Sequence, residues 1–373
     1  MTLVYLVAGE ASGDILGARL IQALRRQRPD LAFAGVGGPR MAEAGMPSLF
    51  PHGELALMGL LEVLPKLRQV ARRLDQTVAD IAARRPGVVV TIDSPGFGLR
   101  VLRRIAPLGI RRVQYVAPQV WAWRQGRVRR YPGLWDRLLC LLPFEPAFFA
   151  RHNLPASFVG HPVLESGADA GDAARFRARH GLDEAAQVVI VMPGSRPGEV
   201  QRLLPRFADA IARLSGVTPV VPVAPGVAET VRSYPWPVRP ILVEGEAEKH
   251  DAFAAASAAL AKSGTSSLEL AVADVPHLIA YRANPITIAL VRTMASVKHA
   301  SLVNILAGRE VVPELIQEAC TPDRMADGLM RLLADGGAVQ RAAFAEIRAR
   351  LRPPHGAPSE AAAAEVLALF DQP

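Results

Sequence analysis

Short apolar runs alternate with longer amphipathic stretches along most of this chain. Leu3–Ala8, Val88–Ile92, 112–116 and 138–142 have strand length and strand composition. Between and around them, 15–28 and 63–85 repeat apolar residues at helical spacing, with basic residues on the outer side. Strands alternating with helices of this kind predict βαβ units and a parallel sheet. The stretch 160–172, with Pro162 and scattered Gly, Ala and Asp, loses the periodicity and reads as a linker. The rhythm then restarts at 188–192 and continues through 219–223, 240–243, 258–261 and His277–Tyr281. From Pro322 the pattern is helical, interrupted by Pro353-Pro354. The pattern predicts an α/β fold of two tandem Rossmann-like, doubly wound parallel-sheet domains. In such folds ligands bind in a cleft at the carboxyl ends of the strands.

The length agrees with two domains, because 373 residues exceed one ordinary core. Half of the residues are apolar and 21% are charged, which marks a globular chain rather than a disordered one. Cys140 and Cys320 lie far apart without metal-ligand or redox spacing, and are expected as buried thiols in a reducing compartment. Met1-Thr2-Leu3-Val4-Tyr5 enters the strand pattern without a basic leader. No apolar run approaches the roughly 20 residues that span a bilayer, so a cytoplasmic location is expected. The net charge of +8, carried mainly by arginine, favours anionic partners: nucleic acid, anionic lipid or a phosphorylated substrate. Without a zinc-finger, RNA-recognition or helix-turn-helix signature, nucleic acid is not the expected partner. Eight histidines with no spaced cluster predict no metal site.

Candidate chemistry gathers in the turns that follow predicted strands. The first, Val7-Ala8-Gly9-Glu10-Ala11-Ser12-Gly13-Asp14, brings small residues to a helix start, where a ligand can approach backbone closely. It matches neither the dinucleotide fingerprint nor a Walker loop, and Ser12 or Asp14 could equally cap the helix. In the second half, Met192-Pro193-Gly194-Ser195-Arg196 occupies the equivalent place, and Arg196 there suits a diphosphate. Lys262-Ser263-Gly264-Thr265-Ser266-Ser267-Leu268-Glu269 offers hydroxyls and free amides to phosphate, with Glu269 placed to accept from ribose hydroxyls. The same Ser266 and Glu269 have the spacing of a capping box. Asp93, at the carboxyl end of Val88–Ile92, could take a proton from an attacking hydroxyl, or close an Asx turn before Ser94-Pro95. Glu10 and His161 are rival bases by position.

Two stretches are unusually apolar or basic for a surface. One runs from Leu57-Met58-Gly59 to Pro65 and leads into Lys66, Arg68, Arg72 and Arg73. The other carries Trp121, Trp123, Arg124, Arg127, Arg129 and Arg130. Aromatic residues beside arginines suit a bilayer interface or an acylated, phosphorylated ligand, and also suit a packed tryptophan pair with a solvated basic turn.

Taken together these stretches resemble the lipid-A-disaccharide synthases over nearly the whole chain. The resemblance runs through 7–17, Gly35-Val36-Gly37-Gly38-Pro39-Arg40-Met41, Met58-Gly59 and Ile92-Asp93, then Tyr115-Val116-Ala117-Pro118-Gln119-Val120-Trp121-Ala122-Trp123-Arg124. It continues in Leu142-Pro143-Phe144-Glu145, Gly160-His161, Pro193-Gly194-Ser195-Arg196, Ser263-Gly264-Thr265, Asn304, 306–310 and 314–318. The family implies a GT-B architecture. It implies an acceptor and membrane-facing domain over 1–165, a UDP-sugar domain over 166–335, and C-terminal helices over 336–373 that pack back on the first domain or exchange within a homodimer. It implies transfer of 2,3-diacylglucosamine from UDP-2,3-diacylglucosamine to 2,3-diacylglucosamine 1-phosphate (lipid X), with inversion, a β(1→6) product and neither metal nor cofactor. It also implies peripheral attachment to the cytoplasmic face of the inner membrane.

Carried over residue by residue, Asp93 and Arg196 become the catalytic candidates. Gly194, Ser195, Gly264, Thr265, Ser266, Glu269, Asn304 and Gln317 become the donor side, and Glu10, Ser12, Gly13, Met58 and Trp121 the acceptor side or cleft. The family often has Asp-Ala-Pro-Asp-Phe where this chain has Asp93-Ser94-Pro95-Gly96-Phe97, so a second carboxylate is missing. Its commoner Ser-Leu-Pro-Asn is Ser301-Leu302-Val303-Asn304 here. Two rival functions share the scaffold: a UDP-sugar epimerase, and a lipid- or nucleotide-binding protein without catalysis.

Overall fold

The structure is a computed structural model that describes residues 2–55, 63–123, 125–284 and 297–370. The chain divides into two compact units, Met1–Pro162 with Leu351–Pro373, and Val163–Arg350. The first contains β1 (Leu3–Ala8), α1 (Ala11–Gln27), β2 (Ala32–Val36), α2 (Pro39–Glu43), α3 (Val63–Arg84), β3 (Val88–Ile92) and α4 (Pro95–Ile105). β4 (Arg111–Tyr115), β5 (Arg137–Cys140), α5 (Glu145–Ala150) and β6 (Ala156–Phe158) follow. The second contains α6 (Ala173–His180), β7 (Gln187–Met192), α7 (Pro197–Ile211), β8 (Val217–Pro222), α8 (Ala228–Arg232), β9 (Ile241–Val243), α9 (Glu246–Ala255) and β10 (Ala256–Lys262). It continues with α10 (Ser266–Val272), β11 (His277–Tyr281), α11 (Leu302–Ala307), β12 (Glu314–Ile316), α12 (Pro322–Asp335) and α13 (Ala338–Leu351). α14 (Pro358–Leu367) then returns to the first unit.

Each unit is built on a six-stranded parallel sheet, ordered β2-β1-β3-β4-β5-β6 in the first and β12-β11-β10-β7-β8-β9 in the second. The α/β class expected from the pattern is the one found. β2, β6 and β12 add strands the apolar rhythm does not announce; β2 carries Gly35, and the other two are three residues long.

The nearly uninterrupted apolar runs are explained by burial on both faces. Val4, Leu6 and Ala8 of β1 pack with Leu20, Ile21 and Leu24 of α1. The intervening Tyr5 and Val7 join Val70, Leu74 and Ile81 of α3 and Val101, Leu102 and Ile105 of α4 on the opposite face. Ala362, Ala363 and Val366 of α14 complete the α1 side. In the second unit Val189, Val191 and Leu260 pack under Leu203, Leu204 and Phe207 of α7 and Met325 and Leu329 of α12.

Candidate active site

In the first sheet β1 pairs with β2 on one side and β3 on the other, so the winding reverses between β1 and β3. The crevice at the carboxyl ends of such strands is where doubly wound sheets bind ligands. The turns after β1 and β3 flank it, and they carry Glu10, Ser12, Gly13 and Asp93. Ser12 Oγ donates to Asp93 Oδ2 at 2.8 Å. Asp93 is half-buried while Ser12 is exposed, so the pair stands at the rim of the sheet. Asp93 and Ser94 both take left-handed backbone, φ +53° and +40°, at the entry to α4. Two successive non-glycine residues in this region are costly and mark a turn held by its surroundings. At Gly13 a Cβ would lie 3.2 Å from Ile92 O and 3.3 Å from the Ala8 Cβ, so the missing side chain lets α1 press against both strand ends.

Neither candidate cap of α1 acts as one. Ser12 turns to Asp93, and the buried Asp14 accepts from Gly38 N at 2.8 Å, Met41 N at 3.0 Å and Arg40 N at 3.0 Å, capping α2 instead. The rival bases fare differently. Glu10 is exposed at the start of α1. His161 is buried, and burial pushes its imidazole down to about 4, which makes it a weak base at neutrality.

Trp121 is placed by the structure in the core rather than on an open rim. Its indole N–H donates to Glu145 Oε1 at 2.9 Å and its ring meets Phe144 edge-on at 4.8 Å. Glu145 also accepts from Leu141 N and Leu142 N, both at 3.0 Å. Burial pushes this carboxyl up to about 7, with the Leu142, Trp121 and Leu141 donors opposing the rise. Trp123 is the exposed member of the pair, with Arg127 over its ring at 5.8 Å. Met58 and Arg124 lie outside the described residues.

The second sheet reverses between β7 and β10, and the turns after those strands carry the donor-side candidates. Gly194 has φ +125°, and a Cβ there would lie 2.8 Å from Glu199 Oε2, so the turn folds tightly over that carboxylate. Lys262 Nζ donates to Glu199 Oε1 at 3.1 Å, and Arg196 Nη1 stands 3.7 Å from the same oxygen. Two cations thus share one carboxylate. Arg196 keeps 77% of its side chain exposed, leaving its guanidinium open to an anionic group. Ser195 and Thr265 are exposed, Gly264 lies beside Lys262, and Ser266 opens α10.

The capping box expected of Ser266 and Glu269 does not form: Thr265 is the cap residue, and Glu269 turns elsewhere. Glu269 Oε1 accepts from Lys249 Nζ at 2.6 Å, and Lys249 also donates to Glu246 at 2.7 Å. Burial works to raise the Glu269 carboxyl, but the neighbouring His250 ring and Lys249 ammonium more than offset it and hold it below the ordinary range. Glu246, His250 and Glu269 bring possible metal-ligand atoms within 4.8 Å of one another. Lys249 already bridges the two carboxylates there, so fixed positive charge occupies the position a cation would take.

Asn304 and Gln317 are tied to the protein itself. Asn304 accepts from Val311 N at 2.8 Å and Val312 N at 2.9 Å, and donates to Val312 O and Glu314 Oε1, both at 2.8 Å. These bonds use all of its amide's ordinary capacity, so it shapes the loop rather than offering a free donor. Through Glu314, which also accepts from Ala300 N and Ser301 N, it orders the segment whose Ala300 carbonyl receives Ser263 Oγ. Gln317 clamps Ala283, accepting from its N at 2.7 Å and donating to its O at 3.2 Å.

The family model described as lipid-A-disaccharide synthetase matches residues 4–366. The lipid-A-disaccharide synthase of Gluconobacter oxydans is 55% identical, over 100% of this chain and 91% of its own length. That of Granulibacter bethesdensis is also 55% identical, over 99% of both. The chain belongs to the lipid-A-disaccharide synthase family. Solved structures with the same fold include a UDP-GlcNAc 2-epimerase from Neisseria meningitidis, with TM-score 0.66, 12% identity and 100% of both chains covered. A spinosyn rhamnosyltransferase complexed with thymidine diphosphate aligns with TM-score 0.61 and 14% identity, over 99% of this chain and 100% of its own. The chain therefore has the GT-B fold.

Several polar residues that support these turns were not singled out by the sequence. Lys262 sits inside a quoted motif, yet its pairing with Glu199 spans 63 positions. Lys249 joins Glu269 only because α9 and α10 meet. Gln114 left a signal: an amide in the middle of a predicted buried strand.

Proposed function

We propose that this chain transfers 2,3-diacylglucosamine from UDP-2,3-diacylglucosamine to 2,3-diacylglucosamine 1-phosphate, as a lipid-A-disaccharide synthase. The observation that carries the mechanism is the Asp93 carboxylate, held by Ser12 at the switch point of the first sheet. Asp93 takes the proton of the acceptor's 6-hydroxyl. The oxygen attacks the anomeric carbon of the donor from the face opposite the diphosphate, which gives inversion and the β(1→6) bond. The anomeric C–O bond breaks, and UDP leaves with the electron pair. Arg196 and Lys262, sharing the single carboxylate of Glu199, supply the positive charge that stabilises the departing diphosphate. Glu269 receives the ribose hydroxyls, and the turn amides at 264–266 complete the donor side.

Supporting peripheral contact with an anionic inner-membrane surface, Trp123 is exposed beside Arg127, with Arg129 and Arg130 exposed on the same segment. Among the described residues no helix is long and apolar enough to cross a membrane. α14 packs on α1 of its own chain, so a homodimer with exchanged C-terminal parts would replace that contact by its equivalent from a second copy.

The test is a transfer assay with UDP-2,3-diacylglucosamine, with and without the monosaccharide 1-phosphate, followed by product mass. Acceptor-dependent release of UDP with a disaccharide product supports the proposal. A new UDP-sugar formed from donor alone, or UDP binding without transfer, overturns it. Asp93→Asn should lower kcat by about 10²–10⁴-fold while UDP binding persists. Near-normal turnover removes Asp93 from the role.

A further inference from the structure

The left-handed turn that presents Asp93 has a buried support in the neighbouring strand. Gln114 of β4 is fully buried and sits opposite Thr91 of β3 in the sheet register. Thr91 Oγ1 donates to Gln114 Oε1 at 2.7 Å, which fixes the amide so that its nitrogen faces the strand ends. That nitrogen lies 3.1 Å from Val116 O, 3.2 Å from Tyr115 O and 3.4 Å from Asp93 O. Three backbone carbonyls, from two adjacent strand ends, thus converge on one amide group. All of this lies beside three non-glycine residues at positive φ: Asp93 and Ser94 are left-handed, and Val116 has φ +76°. A β-branched residue at positive φ is an outlier that persists only when its surroundings over-determine it. A buried amide that receives one hydroxyl and donates toward three carbonyls is a means of doing so.

We propose that Gln114 is a positioning residue for the transfer reaction, its side-chain amide clamping the ends of β3 and β4 so that the Asp93 carboxylate is held toward Ser12 and the acceptor. The proposal rests on the reading of Asp93 as the base. It assigns Gln114 no contact with substrate, so its removal acts on kcat through Asp93 and leaves the donor half untouched.

The experiment compares kcat and donor KM for Gln114→Met, Gln114→Glu, Asp93→Asn and the double variant Asp93→Asn/Gln114→Met. Gln114→Met removes both halves of the amide. Gln114→Glu keeps its size and the acceptor for Thr91 while losing the amide donors, so it carries the test if the methionine variant fails to fold. Cooperative melting and UDP binding report folding. Both Gln114 single variants are expected to lose about 10- to 10²-fold in kcat, the scale of an ångström-level misplacement of a reacting group, with donor KM within about twofold of the parent. In the Asp93→Asn background the methionine substitution should cost nothing further, because the group it positions has already been disabled. Normal turnover by folded Gln114 variants overturns the inference, as does an equal loss in both backgrounds or a raised donor KM at unchanged kcat. Should Asp93→Asn itself turn over normally, the reading of the base fails and this inference fails with it. A crippled Asp93→Asn beside active Gln114 variants sinks the inference alone.

Discussion

At the residue scale the proposed donor side depends on a balance around Glu269. Its carboxylate is mostly buried, and burial alone would push it toward the neutral form that cannot accept both ribose hydroxyls. Lys249 from α9 is the direct partner, with Glu246 on the far side of the ammonium and the His250 ring 3.8 Å from the Glu269 oxygen. Replacing Lys249 by Met leaves two carboxylates facing each other with only His250 to oppose burial, so the Glu269 carboxyl rises. UDP affinity should then fall more steeply between neutral and mildly acid pH than it does for the parent, by about tenfold, and recover in alkali. Calorimetric titration of UDP across that range decides it. An unchanged, pH-independent affinity would mean Glu269 does not hold the ribose.

At the scale of elements, the second carboxylate expected from the resemblance would fall at Gly96, in the first turn of α4 just after Pro95. A Cβ at Gly96 meets no atom within 4 Å, so nothing steric excludes an aspartate there. Gly96→Asp restricts the unfolded chain and places negative charge at a helix start, and the nearby Asp93 charge partly opposes the gain. A net stabilisation of about 0.5 kcal/mol is expected from the denaturant midpoint. A fall in the midpoint would show that the turn requires glycine. The elements themselves were largely legible: strand and helix periods announced β1, β3, β4, β5 and the restart at β7. β6 and β12 were not: the equally short β9 is wholly apolar, whereas Ala156-Ser157-Phe158 and Glu314-Leu315-Ile316 each carry a polar residue and are too short to show a period.

At the scale of the whole molecule, burial pushes two imidazoles down to about 4, His161 in the first unit and His277 in the second. A depressed histidine contributes stability that is complete above the unfolded value of 6.5 and is lost as pH falls through about 4. In the first unit Glu145, raised to about 7, works the other way, since its contribution is present at low pH and lost as pH rises through that value. The second unit has His277 without such a counterweight among the described residues. His277→Phe keeps an aromatic ring against Phe344, whose ring lies 5.3 Å away. The variant should flatten the decline of the second unit's melting temperature between pH 6.5 and about 4, and an identical decline would exclude His277 as its source.

Local sequence was sufficient wherever the cause is local. Apolar runs buried on both faces declared the parallel sheets, and turns rich in Gly, Ser and Thr after strands supplied the candidate ligand-facing positions. Asp93 and Arg196 became candidates from sequence because Asp93 follows β3 directly and Arg196 lies in the turn between β7 and α7. The partners that give those residues their character were decided by the tertiary structure. Ser12 reaches Asp93 across 81 positions, and Gln114 braces its turn from the next strand. Lys249 holds Glu269 from a different helix, Trp121 is drawn inward by Glu145, and Asn304 is consumed by its own loop. Hydrogen bonds and ion pairs form between groups brought together by packing. Their partners are therefore set by which strands pair and which helices meet, and the linear order of residues does not contain that information.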